Sequence, residues 1–259
     1  MRNIKFGWLK DKPDHRDFQY RIWKQVLPAI LPSCIDLRNK CSAIEDQEDL
    51  GSCTAQAGAG CIEFVDLLDP GFRDVSKLFL YYVTRYLLGT VDEDGGAYLR
   101  TTAKAAAEFG VCSEDLWSYI VSKFRDKPPE YCYKDAINHQ ITHYFRLTSL
   151  YEAKACLAEG YPFMFGFMIY SSCLTERVST TGKIPFPSWW DKLRGALGGH
   201  AIDAVGYDDD IRIGAHKGAF LIRNSWGKSW GEQGYGWLPY NYIKKGLADD
   251  LWTIRKIEQ

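Results

Sequence analysis

Apolar residues recur at helical intervals through the first half of the chain. In residues 53–68 they fall four, three and four positions apart from Ala57 onward, which predicts a helix with one buried face. Pro70 and Gly71 are expected to stop that helix. Cap and stop residues predict three more helices: residues 76–88 with Gly89 at the end, residues 98–109 closed by Gly110, and a helix that starts at a capping box of Ser149 and Glu152 and ends at Gly160.

The hydrophobic period changes after residue 160. Short runs rich in aromatic and β-branched residues alternate there with glycines and turn residues, a pattern that is typical of strands. These runs cover residues 161–170, 200–207, 219–224, 235–238 and 251–255. A helical half followed by a strand half predicts an α+β fold.

The composition narrows the classes of function. The 259 residues are 46% hydrophobic and 25% charged, as in ordinary globular proteins, and a formal net charge of −1 argues against a general nucleic-acid binder. No apolar run approaches the roughly 18 residues that span a bilayer. The N-terminus lacks the apolar stretch of a secretory signal, so we expect either an intracellular protein or a leader outside this sequence.

The eight cysteines are dispersed along the chain and never form a Cys-x-x-Cys pair. This spacing argues against structural zinc, and in a chain of this length it does not suggest a disulfide framework. We therefore expect mostly reduced, buried thiols, with neither a metal ion nor an organic cofactor.

Three residues have the order and spacing of a thiol-based catalytic site. Cys53 stands at the start of the first predicted helix, His200 lies 147 residues downstream, and Asn224 follows 24 residues later. A thiolate nucleophile needs a general base, and the base needs a group that fixes its tautomer and ring plane. The structural alternative for Cys53 is an inert buried cysteine, which is the more common fate of a lone cysteine.

The segments around these residues resemble a known family. Cys53 lies in Gln-Glu-Asp-Leu-Gly-Ser-Cys-Thr-Ala, His200 in Gly-Gly-His-Ala-Ile, and Asn224 opens Asn-Ser-Trp-Gly-Lys-Ser-Trp-Gly. Together they resemble the papain family of cysteine peptidases, and in particular bacterial-type members such as xylellain. Thr54 departs from the aromatic residue that usually follows the nucleophile, which leaves the shape of the cleft open.

The resemblance implies a two-lobed architecture over residues 31–255. Residues of about 45–148 would form a mainly helical lobe and about 149–245 an antiparallel, barrel-like β lobe, with the terminal segments crossing between them. The active site would lie in the cleft between the lobes. Residues 1–30 would be an extension: either a surface arm anchored by a few aromatic residues, or a short prosegment that lies across or near the cleft and inhibits the enzyme.

The resemblance also implies roles for residues beside the triad. The side-chain amide of Gln47 would stabilise the oxyanion together with the backbone N–H of Cys53. Trp226 would shield the hydrogen bond between His200 and Asn224 from water. Five more residues would line the cleft: Trp230 on one side, Gly95 and Gly96 as the strip that receives an extended peptide backbone, and Gly198 and Gly199 beside His200, where they would admit bulky or basic side chains.

Two physical expectations follow from this site. The N-terminus of a helix and the imidazolium of His200 should lower the pKa of the Cys53 thiol. If two antiparallel strands place His200 opposite Asn224, Ile202 faces Ile222. Asp203 and Arg223 are then diagonal neighbours on the other face, where we expect an ion pair with a separation within about 4 Å.

The predicted function is that of a cysteine endopeptidase. It would hydrolyse peptide bonds of a peptide or protein substrate through a Cys53 thioester. Two alternatives stay open at this point. One is a catalytically silent or autoinhibited binding protein with the papain fold, and the other is a deamidase or acyl transferase that uses the same triad.

Overall fold

A computed structural model describes residues 4–68 and 72–257 of the chain. Pro70 and Gly71, the predicted helix stop, and the first three residues of the predicted extension lie outside these ranges. The helices are α1 Tyr20–Lys24, α2 Cys53–Asp66, α3 Lys77–Leu88, α4 Leu99–Glu108, α5 Glu130–Ala136, α6 Leu150–Ala158, α7 Glu176–Thr181, α8 Trp189–Arg194 and α9 Asn241–Lys244. The strands are β1 Trp8–Leu9, β2 Cys34–Asp36, β3 Ala97–Tyr98, β4 Ile141–Leu147, β5 Phe163–Ile169, β6 Gly198–Ile213, β7 His216–Arg223, β8 Tyr235–Pro239 and β9 Ala248–Ile257.

All four predicted helices are present, as α2, α3, α4 and α6, with ends within two residues of the expected positions. The Ser76 side chain accepts a hydrogen bond from the Phe79 N–H at the start of α3, and Gly89 ends that helix in the left-handed conformation. At α6 the predicted capping box forms only in part. Ser149 accepts from the Glu152 N–H, whereas the Glu152 carboxylate accepts from the N–H of Thr148, one residue before the expected donor.

The strands of the second half form a mixed-length antiparallel sheet. In the described residues its strand order is β4-β9-β5-β6-β7-β8, with β2 paired to β6. Strand β4 is not predicted by the hydrophobic pattern. It lies in the helical half of the sequence, and exposed Thr142 and His143 interrupt the alternation of apolar and polar residues. A separate parallel pair joins β1 near the N-terminus to β3.

Helix α2 lies between the other helices and the sheet. It contacts α3 and α4 on one side and β5, β6 and β9 on the other, and every one of its residues is buried. The small residues Ala55, Gly58 and Gly60 let the neighbouring elements approach its backbone. The first residue of this central helix is Cys53, so the packing of the whole fold sets the position of the thiol.

The predicted ion pair is confirmed, but the predicted register is wrong. Asp203 pairs directly with Arg223 across β6 and β7, and Ile222 lies opposite Ala204 rather than Ile202. Arg223 Nη1 is 3.5 Å from Asp203 Oδ2, with both side chains buried. The register differs because β7 ends at Arg223, and the Asn224 N–H turns away to donate to the carbonyl of Gly234.

Room for this buried ion pair comes from α2. A Cβ atom on Gly60 would lie 2.1 Å from Arg223 Nη1 and 2.4 Å from Asp203 Oδ2. Burial raises the pKa of Asp203 to about 7 although the Arg223 guanidinium beside it acts in the opposite direction. Gly60 therefore lets the helix that starts at Cys53 pack directly against the ion pair on the strand that carries His200.

Candidate active site

The structure brings Cys53, His200 and Asn224 together where the start of α2 meets the sheet. Cys53 and His200 are both fully buried. The Cys53 Sγ accepts a hydrogen bond from the backbone N–H of Ala201, the residue after His200, at 3.4 Å. Residues from the two halves of the sequence, separated by about 150 positions, therefore share one site.

The His200 ring is held as expected from the sequence. Its Nε2 is 2.8 Å from Asn224 Oδ1, which also accepts from the backbone N–H of Ser225 at 2.9 Å. The Trp226 ring stacks on the imidazole, with centroids 4.6 Å apart and planes at 23°. The other ring nitrogen, Nδ1, has no hydrogen-bond partner among the described residues. His200 is thus oriented by Asn224 without being hydrogen-bonded to the Cys53 thiol.

Gln47 lies against the same site and is fully buried. Its Nε2 donates to the carbonyl oxygens of Leu50 at 2.9 Å and Lys5 at 3.1 Å. The Ser225 hydroxyl donates to Gln47 Oε1 at 2.8 Å, and the Gln47 N–H donates to the Ser225 carbonyl at 2.9 Å. The amide orientation is therefore fixed by Ser225 at its oxygen, and its nitrogen donates both to the loop before α2 and to Lys5 near the N-terminus.

Sequence reasoning missed two residues that support Gln47. Ser225 holds the amide oxygen, and its position directly after Asn224 was a usable signal. Tyr119 donates its hydroxyl to the Gln47 carbonyl at 2.9 Å and lies 2.7 Å from the Ser52 hydroxyl. No local pattern marks Tyr119, since it comes from an irregular segment far from every motif in the sequence.

Part of the predicted extension lies directly over these groups. We call residues 4–17 the N-terminal segment. The Gly7 carbonyl accepts from the Ala97 N–H at 2.8 Å, and the Lys5 ammonium pairs with Asp94 at 2.7 Å. Trp8 is almost fully buried, and β1 pairs in parallel with β3. The N-terminal segment therefore fills the groove between α2 and the sheet.

The predicted cleft glycines differ in their contacts with this segment. Cβ atoms would lie 2.1 Å from the Gly7 carbonyl oxygen at Gly96, 2.8 Å from Phe6 at Gly198 and 2.5 Å from Trp8 at Gly199. Gly95 faces open space with nothing within 4 Å. Three of the four predicted glycines thus allow a peptide backbone or side chain to approach closely.

Trp230 lies behind the site. It is buried, and its ring meets Trp226 edge to face with centroids 5.6 Å apart. Such a pair stabilises the position of the Trp226 ring that stacks on His200. Its predicted place along the cleft stays a prediction.

The predicted lowering of the Cys53 pKa is wrong for this arrangement. Burial raises the pKa of the thiol to about 11, although backbone N–H groups of Ala201, Gly7 and Thr54 favour the thiolate. Burial likewise lowers the pKa of His200 to about 4, against the opposite effect of Asn224. Beneath the N-terminal segment the pair is therefore a neutral thiol and a neutral imidazole.

One group of acidic residues in the described ranges is close enough to hold a metal ion: Glu45, Glu63 and Asp74. The ammonium of Lys77 lies within this group, 3.0, 2.9 and 2.5 Å from the three carboxylates in that order. The charge that would attract a cation is thus already offset by a lysine. The eight cysteines are free thiols, and six of them are buried.

The comparisons with known proteins agree with this geometry. Residues 31–252 match the papain family of cysteine proteases. The structure is similar to that of xylellain, a cysteine protease from Xylella fastidiosa, with a TM-score of 0.87 and 38% identity over 98% of this chain and 97% of xylellain. A sequence relative is the uncharacterized peptidase C1-like protein L477 of Acanthamoeba polyphaga mimivirus, 33% identical over 97% of this chain and 87% of the relative. Chymopapain from Carica papaya is 26% identical over 86% of this chain and 57% of its own length.

The chain belongs to the papain family of cysteine proteases, a family of hydrolases. Its mixed α+β fold, with a helical region packed on an antiparallel sheet, is the papain-like fold. No helix in the described ranges is long and apolar enough to cross a membrane.

Proposed function

We propose that this protein hydrolyses peptide bonds with Cys53 as nucleophile and His200 as general base and acid. The thiolate adds to the carbonyl carbon of the scissile bond, and the oxyanion accepts hydrogen bonds from Gln47 Nε2 and the Cys53 N–H. Collapse breaks the C–N bond while the His200 imidazolium protonates the leaving amine. A water molecule then gives a proton to the neutral His200 and adds to the thioester carbonyl, the C–S bond breaks, and the acid product and the Cys53 thiolate are released with His200 again protonated.

The single observation that carries this proposal is the arrangement around His200. Asn224 binds one ring nitrogen at 2.8 Å, Trp226 covers the ring, and Ala201 next to it contacts the Cys53 Sγ at 3.4 Å. This leaves Nδ1 as the ring nitrogen that is free to exchange a proton with the thiol. Peptide or protein substrates follow from membership in a protease family.

We further propose that the N-terminal segment inhibits the enzyme while it occupies the groove. The Lys5 carbonyl takes up an N–H of Gln47, so this oxyanion donor is engaged. The segment also excludes solvent, and burial disfavours the charged thiolate and imidazolium on which catalysis depends. Displacing the segment would restore both the donor and the ion pair.

The test of the function is peptide-library hydrolysis by the full chain, by Cys53→Ala and by Gly7→Ala. A Cβ on residue 7 would lie 1.9 Å from the Gly51 carbonyl oxygen, so alanine there should unseat the segment. We expect Gly7→Ala to raise hydrolysis about tenfold, whereas Cys53→Ala should lower it by at least about 10⁴-fold.

Lys12→Ala is the matched control for the segment, because Lys12 lies in it with an exposed side chain. If Gly7→Ala left the rate of hydrolysis unchanged, self-inhibition would be rejected, whereas the proposed peptidase activity would stand. Hydrolysis absent from both the full chain and Gly7→Ala, with slow labelling of Cys53 by an epoxysuccinyl probe in both, would favour a catalytically silent binding protein.

A further inference from the structure

Helix α8 and the residues just after it present four large apolar side chains to solvent. Trp189, Trp190 and Leu193 are 66%, 62% and 64% exposed, and Leu197, which follows the helix, is 55% exposed. The two indole rings meet edge to face with centroids 4.7 Å apart. Scattered exposed apolar residues are normal on a protein surface, whereas several close together mark an interaction site. We call these four residues the apolar patch.

The order of side chains around α8 is that of a helix lying on an apolar surface. At about 100° per residue, Leu193 lies between Trp189 and Trp190, so the three side chains form one stripe. Lys192 and Arg194 are both exposed, and the same geometry places one of them on each side of the stripe. The exposed face of α8 therefore combines an apolar stripe with a cation along each edge.

The acidic residue of α8 is kept away from this face. Asp191 is buried, and its Oδ2 accepts from the Ser188 N–H at 2.9 Å and the Ser188 hydroxyl at 2.7 Å. The Lys192 ammonium instead lies 4.8 Å from the centroid of the Phe186 ring. Neither Lys192 nor Arg194 forms an ion pair within the described ranges, so the positive charge beside the apolar patch is not offset by α8 itself.

A neighbouring cavity adds more positive charge. It has a volume of about 400 Å³, and Pro185, four residues before α8, is part of its wall. Three exposed cations also line it: Arg177, Lys183 and Arg212. None of the three forms an ion pair in the part of the chain that the structure describes. Two exposed acids lie close in sequence, Glu176 and Asp210, but Asp210 is already paired with Lys217 at 2.8 Å.

These groups match the chemistry of an anionic lipid surface. Tryptophan favours the boundary between headgroups and acyl chains, because its ring is apolar and its N–H is polar. Lysine and arginine beside an apolar face can extend toward lipid phosphates, and each contributes about fivefold to binding. A second copy of the chain fits less well, since a two-fold contact through the patch would oppose the cations of one copy to those of the other.

We propose that the apolar patch and the cations around it form a docking surface for a bilayer that carries anionic phospholipids. The two indoles and two leucines enter the headgroup layer, and the cations pair with lipid phosphates. Residues 195–197 alone separate α8 from β6, the strand that carries His200, so docking holds the groove near the bilayer. Docking itself does not depend on the proposed peptide hydrolysis.

The test is co-sedimentation of the full chain with vesicles of phosphatidylcholine alone or of equal parts phosphatidylcholine and phosphatidylserine. We expect a partition coefficient at least about tenfold higher on the vesicles with phosphatidylserine, and a fall with added salt. Trp189→Ala combined with Trp190→Ala should lower this coefficient at least about tenfold. Arg194→Gln should lower it about fivefold. All three side chains are exposed, so the fold should be retained.

Matched controls come from the helical half of the chain. Tyr131→Ala combined with Ile137→Ala removes two apolar side chains that are 54% and 60% exposed, and Lys104→Gln removes an exposed cation of α4. These changes should alter the partition coefficient less than about twofold. As a second readout, vesicles with phosphatidylserine should shift the tryptophan fluorescence of the full chain to shorter wavelength. This shift should be largely lost when both Trp189 and Trp190 are replaced.

Membrane docking is overturned if the full chain binds neither kind of vesicle, or if the double tryptophan variant binds as well as its parent. A full chain that is dimeric by analytical ultracentrifugation, made monomeric by the double variant and unable to bind vesicles, would assign the patch to a second copy. A double variant with lower kcat/KM for peptides, in a chain that ignores vesicles, would assign the patch to substrate. Vesicle binding as expected without any peptide hydrolysis would support docking and reject only the proposed function.

Discussion

Helix α2 carries Cys53, and the N-terminal segment lies over its thiol, but different interactions hold these two regions in place. All residues of α2 are buried, and it packs through small residues against helices and sheet alike. In the segment only Gly7, Trp8 and Asp11 are buried. The segment is also held by ion pairs: Lys10 pairs with Asp249 at the surface, and Asp17, whose side chain is largely buried, pairs with Arg100 and Arg146.

Under the proposed self-inhibition, α2 would be a fixed platform and the N-terminal segment a displaceable cover. Apolar burial of a central helix is lost only when the fold is lost, whereas an exposed ion pair such as Lys10 with Asp249 contributes about 0–1 kcal/mol and weakens with salt. The nucleophile belongs to α2, and contact with the segment would then set its protonation state.

The largest effect expected of a change outside Cys53 concerns Gln47, which donates to Leu50 in the loop before α2 and to Lys5 in the N-terminal segment. In the Gly7→Ala chain, Gln47→Ala should lower kcat/KM about 100- to 1000-fold, because an oxyanion donor is lost. Alkylation of Cys53 forms no oxyanion, so its rate should change less than about threefold. If the rate of Cys53 alkylation fell as far as the rate of hydrolysis, Gln47 would instead act by positioning the thiol.

The next prediction compares how the rate of Cys53 alkylation depends on pH in the full chain and in the Gly7→Ala chain. With the segment in place the thiol pKa is about 11, so the rate should rise about tenfold per pH unit and about 100-fold from pH 7 to pH 9. Because the pKa of the Cys53 thiol is raised while the segment is docked, the protonated thiol favours the docked state. This contribution to docking is fully present below the pKa that the thiol has without the segment, and it is lost as pH rises through about 11. The Gly7→Ala chain should react faster at pH 7 with a flatter profile. Identical profiles in the two chains would show that the segment does not control the thiol.

Gly60→Ala tests how closely α2 has to pack against the sheet. The new Cβ would meet Arg223 Nη1 at 2.1 Å and Asp203 Oδ2 at 2.4 Å, inside a buried ion pair. We expect a loss of about 1–3 kcal/mol in the free energy of unfolding, measured by urea denaturation. Gly95→Ala is the control, because nothing lies within 4 Å of its Cβ and its stability should hardly change. Equal stability of both variants would mean that α2 tolerates displacement from the sheet.

The smallest effect is expected from Asp17→Asn, which removes the carboxylate that pairs with Arg100 and Arg146. Alkylation of Cys53 should accelerate about two- to fivefold, and added salt should accelerate the parent chain in the same direction. Asp14→Asn is the matched control, since the ion pair of Asp14 is with Arg16 of the same segment. If Asp14→Asn accelerated the alkylation of Cys53 to the same extent, the ion pairs of Asp17 would not be what holds the segment on the body of the protein.

Local signals in the sequence were sufficient for much of this fold. Ser76, Gly89 and Gly110 marked helix ends through backbone requirements that act within a few residues. The motifs around Cys53, His200 and Asn224, through their resemblance to a known family, predicted the hydrogen bond between His200 and Asn224. The register of β6 and β7 was beyond this reasoning, because it depends on where β7 ends and on irregular pairing after Ala204.

The pKa of Cys53 was predicted in the wrong direction for a related reason. The start of the helix could be recognised from the position of Cys53, and the N–H groups of Thr54 and Cys53 there do favour the thiolate. The burial that raises the pKa of the Cys53 thiol comes from tertiary packing, and no pattern around Cys53 encodes it. Tyr119 escaped detection likewise, since its contacts with Gln47 and Ser52 arise only in the folded structure.

The hydroxyl of Ser225 links two groups that reach the site from opposite ends of the chain. By holding Gln47 Oε1 at 2.8 Å while its own N–H holds Asn224 Oδ1 at 2.9 Å, it joins them into one bracket. Under the proposed function, one small side chain thus ties the oxyanion donor to the residue that orients the general base, so that a change at position 225 would disturb both groups at once.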